Sequence, residues 1–193
     1  MVKQVVWGIC VVIAAAGTAD AQGPAQQGPV GMTQYLQNAY GNIKRNLTEA
    51  ANKLSDADYA FKPTTMPEVR TFGQLFGHVA NAQFGQCAAA KGVPNPNMGT
   101  NNEQKTTKAE IGKALADSFA FCDDAFSSLS EQNRGQIMAR GRGQMAREAI
   151  LADLIAHSNE MYGYAGRVLL DPPDEDLLCA HRKGLLGSGR AAV

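Results

Sequence analysis

Apolar residues recur at helical spacing in four long segments of the chain. In residues 32–54 they fall every three or four positions, with charged residues between them, which places them along one face of a helix. The same period predicts three more helices, over residues 71–90, over residues 107–129, and from about residue 144 to just before Pro172. No segment shows the alternation of a strand. The pattern therefore predicts an all-α chain, folded as an antiparallel four-helix bundle.

Local signals agree with these boundaries. Thr71 is followed three residues later by Gln74, and Thr107 by Glu110, which is the spacing of a capping box at a helix start. Glycines and arginines dominate residues 130–143, and here the sequence predicts only a loop. The inward faces predicted for the first and fourth helices include Met32, Tyr35, Leu36, Ile43 and Leu47, and then Ile150, Leu154, His157, Met161, Tyr164 and Val168.

The N-terminus resembles a secretory signal. Lys3 precedes a short apolar run, and Ala19 and Ala21 supply the small residues that a signal peptidase reads. We therefore predict a signal peptide over 1–21, a linker over 22–31, the bundle over 32–171 and a poorly ordered tail over 172–193. The alternative is an uncleaved anchor, but the run is short for a membrane span and Gly8 interrupts it. The expected location is periplasmic or secreted, with no membrane contact in the mature form.

Three cysteines remain once the signal is removed. Cys87 and Cys122 lie on the inward faces of the second and third helices, whereas Cys179 lies in the tail. In an oxidising compartment, two cysteines that the fold brings together usually pair. The sequence predicts a disulfide between Cys87 and Cys122, and leaves Cys179 as a free thiol.

Composition excludes several classes of function. The 193 residues are most simply one domain, and 18 basic residues balance 18 acidic ones without a basic run. We expect no nucleic-acid partner, because that binding needs a basic surface. No nucleophile elbow, phosphate loop or C-x-x-C motif is present.

Two histidines carry the candidate chemistry. His157 lies in the middle of the fourth apolar face, and His78 lies beside the face of the second helix. Each alone is typical of a core histidine with one hydrogen bond. Two such residues on helices that pack together also suit a shared metal or substrate site.

Three stretches, taken together and in order, resemble the DinB-like family over about residues 32–173. They are VRTFGQLFGHVANAQ, KTTKAEI with SFAFCDDAF, and AHSNEMYGYAGRVLLDPP. The resemblance implies a four-helix bundle. It also implies metal-dependent enzymes, some of them thiol-dependent transferases or isomerases. In this family a divalent metal, such as zinc, nickel or iron, is held by three histidines. One comes from the second helix and two from an H-x-x-x-H motif in the fourth.

This chain departs from that motif at one position. By the resemblance, His78 matches the first ligand and His157 the second, but Met161 occupies the place of the third. A thioether is a poor ligand for zinc or nickel. Glu160, one position away, is the alternative donor, and Asp153 lies one turn before His157, where it could orient the imidazole. A metal site with fewer ligands and a site with no metal both stay open.

Two functions follow, and the sequence leaves open whether the protein is an enzyme. The first is an exported divalent-metal-dependent enzyme of hydrolase or thiol-transferase type, acting on an unknown small-molecule substrate. Export weakens the thiol-transferase form, because low-molecular-weight thiols are chiefly cytoplasmic. The second is a non-catalytic exported bundle that binds a small ligand or a partner and has lost the metal. A homodimer is compatible with either function.

Overall fold

The computed structural model describes residues 28–62 and 64–170, with side chains as far as residue 166. The chain divides into two units, Met1–Val30 and Gly31–Val193. Of the first unit, the structure describes residues 28–30, which are exposed and have no regular structure. The predicted signal peptide, most of the linker, the tail with Cys179, and the side chain of Val168 lie outside the described residues.

The second unit is built from four long helices, as the apolar pattern predicts. They are α1 (Met32–Lys53), α2 (Phe72–Lys91), α3 (Lys108–Ser127) and α4 (Arg147–Leu170). Short 3-10 turns at Asp58–Ala60 and Asn102–Gln104 precede α2 and α3. Within the described residues, no helix has both the length and the apolar character needed to cross a membrane.

Both predicted helix starts are confirmed. The Thr71 hydroxyl accepts a hydrogen bond from the Gln74 backbone, and the Gln74 side chain accepts one from the Thr71 backbone, which completes the capping box of α2. Thr107 caps α3 by accepting a hydrogen bond from the Glu110 backbone. Tyr59, in the first 3-10 turn, is buried against the core.

The helices form a bundle, but they are not all antiparallel. Gln83 of α2 contacts Ser118 of α3, and four residues further on Cys87 is bonded to Cys122. Both helices advance together, so α2 and α3 run parallel. The polar loop between them is long enough to return the chain to the other end of the bundle, so the direction of α3 is not fixed by the direction of α2.

A β-hairpin corrects the expectation of an all-α chain. Strand β1 (Ile137–Arg140) pairs antiparallel with β2 (Gly143–Ala146). The two-residue turn between them begins at Gly141, whose φ of 58° suits glycine. Each strand has only four residues and one weakly buried face, so its alternation is too short to recognise in the sequence. The hairpin replaces the first predicted turn of α4, which begins at Arg147 and not near Gln144.

Some residues predicted to face inward are exposed. On α1, Tyr35 is 60% exposed and Met32 also faces solvent, while Tyr40 is buried and donates its hydroxyl hydrogen to the Phe119 carbonyl or to a neighbouring carboxylate. On α4, Tyr164 is exposed. A tyrosine at an apolar position of a helical pattern can be either buried or exposed, because its ring is apolar and its hydroxyl hydrogen-bonds with water.

The predicted disulfide is confirmed. Cys87 and Cys122 are bonded, with their Cα atoms 5.4 Å apart, and both are fully buried. Beside them, Gln83 Oε1 and Ser118 Oγ are 3.0 Å apart in the interior. A covalent bond and a buried hydrogen-bonded pair therefore fix α2 against α3.

Candidate functional site

The two histidines meet between α2 and α4. His78 Nε2 and His157 Nε2 are 3.1 Å apart, and the ring centroids are 5.1 Å apart. His78 reaches this point because it lies at the edge of the apolar face of α2, and His157 because it lies within that of α4. The sequence expectation that these residues share one place in the bundle is therefore matched by the geometry.

The second ring nitrogen of His78 is held by a carboxylate. His78 Nδ1 lies 2.8 Å from Oε1 of Glu103, a residue of the 3-10 turn that precedes α3. The other oxygen of this carboxylate accepts a hydrogen bond from Arg70 Nε, also at 2.8 Å. Arg70, Glu103, His78 and His157 thus form one continuous chain of polar contacts.

The turn that carries Glu103 is fixed closely to α2. A Cβ atom on Gly77 would lie 2.4 Å from the Asn102 carbonyl oxygen, so only glycine leaves room for the turn. The Asn81 side-chain oxygen accepts hydrogen bonds from the backbone and side chain of Asn102, and another from Asn97. Asn102 is buried, and its neighbour Glu103 is therefore held beside His78 by the turn itself.

Electrostatics assign the tautomer of His78. Burial alone would raise the pKa of the Glu103 carboxyl, but the hydrogen bonds and charges of Arg70 and His78 outweigh burial and hold that pKa below its ordinary value. Glu103 is therefore a carboxylate at neutral pH and can only accept hydrogen bonds. The hydrogen between the two residues must lie on Nδ1 of His78. In the neutral form of the ring, this tautomer leaves the lone pair of Nε2 facing His157.

His157 has no comparable support. Burial, and then the neighbouring His78, lower the pKa of His157 below its ordinary value, so its imidazole is neutral at pH 7. Its Nδ1 atom is buried and makes no hydrogen bond with any of the described residues. An unpaired buried polar atom costs roughly 1–3 kcal/mol. In the fold as it stands, this imidazole therefore lowers the free energy of unfolding.

The other predicted ligands have different surroundings. Met161, one turn beyond His157 on the same face of α4, is buried in the core at 6% exposure. Glu160 is exposed, and its carboxylate accepts a hydrogen bond from the Tyr164 hydroxyl at 3.2 Å. Asp153 pairs with Arg140 of the hairpin at 2.5 Å and does not orient His157 through a hydrogen bond.

The histidine pair fits a metal ion in part. A carboxylate on one ring nitrogen commonly orients a histidine that binds metal through the other. The separation of 3.1 Å is close to the about 3.3 Å that two zinc-bound nitrogens keep across a tetrahedral angle. Within the described residues, however, no three His, Cys, Asp or Glu side chains form a group that could hold a metal ion. The donors that the structure brings together are two imidazoles, and Met161, one turn further along α4, is buried in the core.

Sequence reasoning missed Glu103 and Arg70. Both lie in irregular segments, where no period marks an inward side chain. Only their location could have indicated them in the sequence. Arg70 lies just before the capped helix start at Thr71, and Glu103 lies just before the one at Thr107. Glu103 also lines a cleft of about 460 Å³ with Gln74 and other residues around the start of α2.

Comparisons with known proteins agree with this architecture. The sequence model of the DinB superfamily matches residues 41–165. A conserved protein of Enterococcus faecalis, known from its crystal structure, is 15% identical, with a TM-score of 0.57 over 72% of this chain and 95% of that one. At that identity the likeness concerns the fold alone. Among curated proteins, none matches this sequence. Because the superfamily match covers more than half of the chain, including both histidines, the protein belongs to the DinB superfamily.

Proposed function

We propose that this is an exported metalloprotein in which His78 and His157 hold one metal ion that is open to a small-molecule substrate. The observation that carries the proposal is the convergence of the two Nε2 atoms at 3.1 Å, with Glu103 on the far nitrogen of His78. Two histidines that served only packing would not need a charged pair behind one of them, since one hydrogen bond satisfies such a residue.

Each of the four residues in this chain of polar contacts has a role in the proposal. Glu103 keeps the hydrogen of His78 on Nδ1, and Arg70 holds Glu103 in its charged form. His78 and His157 then offer the lone pairs of their Nε2 atoms. A bound ion supplies Lewis-acid chemistry, which polarises a substrate carbonyl or activates a bound water or thiol. This chemistry corresponds to a hydrolase or a thiol transferase, and export favours the hydrolase.

Export is supported by two features. The N-terminal residues have the pattern of a signal peptide, and Cys87 is bonded to Cys122, as in proteins of oxidising compartments. N-terminal sequencing of protein recovered from the periplasm or the medium tests this part of the proposal. A mature chain that begins at Gln22 supports it. Full-length protein confined to the cytoplasm would contradict it.

Metal binding is tested by titrating the purified protein with zinc and with nickel, followed by metal analysis after dialysis. We expect one ion per chain, and loss of that ion in His78→Ala and in His157→Ala. Asn159→Ala is the matched control, because this exposed side chain on α4 bonds only to its own helix. Retention of the ion in both histidine variants would place the metal elsewhere.

A non-catalytic bundle is the second candidate function. It is favoured by the burial of Met161 where the resemblance implies a third histidine, and by the contact between His78 and His157, whose 3.1 Å separation also suits a hydrogen bond. In this form the bundle binds a small ligand or a partner without a metal. Clean apo protein, with an unchanged melting temperature on addition of every metal tested, would support it.

A further inference from the structure

The segment between α2 and α3, residues 92–107, runs back along the outside of α2, and we call it the strap. The side-chain amide of Asn95 would lie 4.0 Å from a Cβ atom on Gly85, in the second half of the helix. Further along the strap, Asn102 is hydrogen-bonded to Asn81, one turn nearer the start of α2. The strap therefore lies antiparallel to the helix that carries His78.

Polar contacts, and not apolar packing, hold the strap on α2. None of the described residues from 92 to 107 belongs to the buried apolar core. Instead, the Asn81 side-chain oxygen accepts hydrogen bonds from Asn102 and Asn97, and the Asn81 amide group donates one to Asn101. These groups bond to water when the strap lifts away, so each contact contributes little net stability. A segment held in this way opens locally more easily than the helices do.

Opening of the strap leaves α2 and α3 in place. Cys87 is bonded to Cys122, and Gln83 accepts a hydrogen bond from Ser118. Both links join the two helices directly and involve no residue of the strap. The strap can therefore take two positions, docked and open, while the helices around it keep one arrangement.

The strap brings one side chain to the histidines. Glu103 lies 2.8 Å from Nδ1 of His78, whose other nitrogen faces His157. A hydrogen bond from Nδ1–H to a carboxylate makes the opposite ring nitrogen a better metal ligand. In return, Nδ1–H is a stronger donor when Nε2 holds a metal ion. Docking of the strap and binding of a metal therefore favour each other by the same factor.

We propose that the strap is a metal-dependent cover of α2, which stays docked when His78 and His157 hold a metal ion and opens more readily when they do not. The inference rests on the metal site proposed above and adds its regulation. Opening of the strap takes Glu103 away from His78 and lowers the affinity for the ion. The position of the strap thus controls how well the protein retains its metal.

Hydrogen exchange, followed by mass spectrometry, compares metal-free and zinc-loaded full-length protein. We expect zinc to slow exchange in peptides from residues 93–106 by about tenfold, the usual effect of coupling between a metal ligand and its hydrogen-bond partner. Peptides from the hairpin, residues 137–146, should exchange at the same rate with and without zinc. His157→Ala removes a ligand but keeps the hydrogen bonds of the strap, and should abolish the protection.

Asn81→Ala tests the coupling in the opposite direction, because this side chain hydrogen-bonds to the strap. We expect faster exchange of the strap in metal-free protein, and zinc binding that is about tenfold weaker. Glu103→Gln keeps the side-chain shape, and should remove the protection that zinc gives to the strap. Glu49→Gln, at an exposed carboxylate of α1, is the matched control and should change neither property. Circular dichroism confirms that each variant is folded.

The outcomes separate this inference from the proposal beneath it. If zinc binds through the histidines but leaves exchange of the strap unchanged, or if Asn81→Ala binds zinc as tightly as the parent, the inference is wrong and the metal site stands. Equal protection of the strap and the hairpin would mean that zinc stabilises the whole fold, which also contradicts the inference. If the parent binds no zinc, both proposals are wrong, and the non-catalytic function is the one to keep.

Discussion

Helix α2 contacts its two neighbours in opposite ways. Toward α3 it presents Gln83, whose side-chain oxygen accepts a hydrogen bond from the Ser118 hydroxyl, and Cys87, which forms the disulfide. Toward α4 it presents His78, whose partner His157 has a buried nitrogen atom with no hydrogen bond to any described residue. The first contact is closed by a covalent bond and a hydrogen bond, and is therefore structural. The second has no covalent bond and brings two imidazole Nε2 atoms together, which is the arrangement that the proposed metal site needs.

The largest expected effect comes from breaking the structural contact. Cys87→Ala with Cys122→Ala should lower the free energy of unfolding by roughly 3 kcal/mol, because the disulfide limits the conformations of the unfolded chain. Urea denaturation measures the loss, and metal affinity should remain within about twofold. A large loss of metal affinity in this folded variant would show that the two contacts of α2 are not independent.

A substitution at the back of the site should have the next largest effect. Gly77→Ala places a Cβ atom 2.4 Å from the Asn102 carbonyl, so the turn that carries Glu103 must shift. We expect a loss of about 2 kcal/mol in unfolding free energy and weaker metal binding.

Gly85→Ala is the matched control, since it lies on the same helix and its Cβ would come no closer than 4.0 Å to Asn95. That variant should be stabilised by several tenths of a kcal/mol, since alanine favours a helix over glycine. Equal effects of the two substitutions would mean that Gly77 has no special contact.

The paired polar group on the α3 side should cost less to replace. Gln83→Leu removes one of the two hydrogen-bond acceptors of the Ser118 hydroxyl, the other being the Leu115 carbonyl, and should lower the unfolding free energy by about 1 kcal/mol. Thermal and urea unfolding measure this change. An increase in stability would show that Gln83 resembles His157 and is retained for another reason.

The unpaired group on the α4 side should cost least. His157→Leu removes a buried nitrogen atom that no described residue hydrogen-bonds, so we expect the unfolding free energy to stay within about 1 kcal/mol of the parent or to rise. Metal binding should disappear. A loss of 2 kcal/mol or more would contradict the comparison, because it would make His157 structural.

The pH dependence sharpens the same difference. The pKa of folded His157 lies below that of the unfolded chain, because burial and His78 disfavour its charged form. As the pH falls below about 6.5, the unfolded state therefore takes up a proton that the folded state does not, and stability declines. The decline in the metal-free protein should be smaller in His157→Leu. An identical pH profile in the two proteins would contradict the lowered pKa.

The sequence predicts the features that are set by residues close together along the chain. Helices and their starts follow from apolar spacing and from pairs such as Thr71 and Gln74, which lie within one turn. The disulfide follows from two cysteines on inward helix faces, together with the export that the N-terminal pattern predicts. The histidine pair follows because each residue lies on or beside an apolar face, and the family resemblance points to the same two positions.

What the sequence does not predict depends on the path of the chain between helices. Glu103 reaches His78 across 25 residues, and only because Gly77 lacks a Cβ atom that would exclude the turn. The parallel course of α2 and α3 is likewise set by the long loop between them. The hairpin is not predicted, because a strand of four residues is too short for its alternation of polar and apolar residues to be recognised.

The disulfide has a consequence for the way the protein responds to proteolysis. It closes a covalent ring between Cys87 and Cys122, which are 35 positions apart, and this ring includes the loop at Met98, whose side chain is 77% exposed. A protease that cuts this loop opens the backbone but releases no fragment. Nicked protein should run as one species on a non-reducing gel and as two after reduction. Glu103 would stay tethered to the half that carries His78, so a single cut need not end the working life of the molecule.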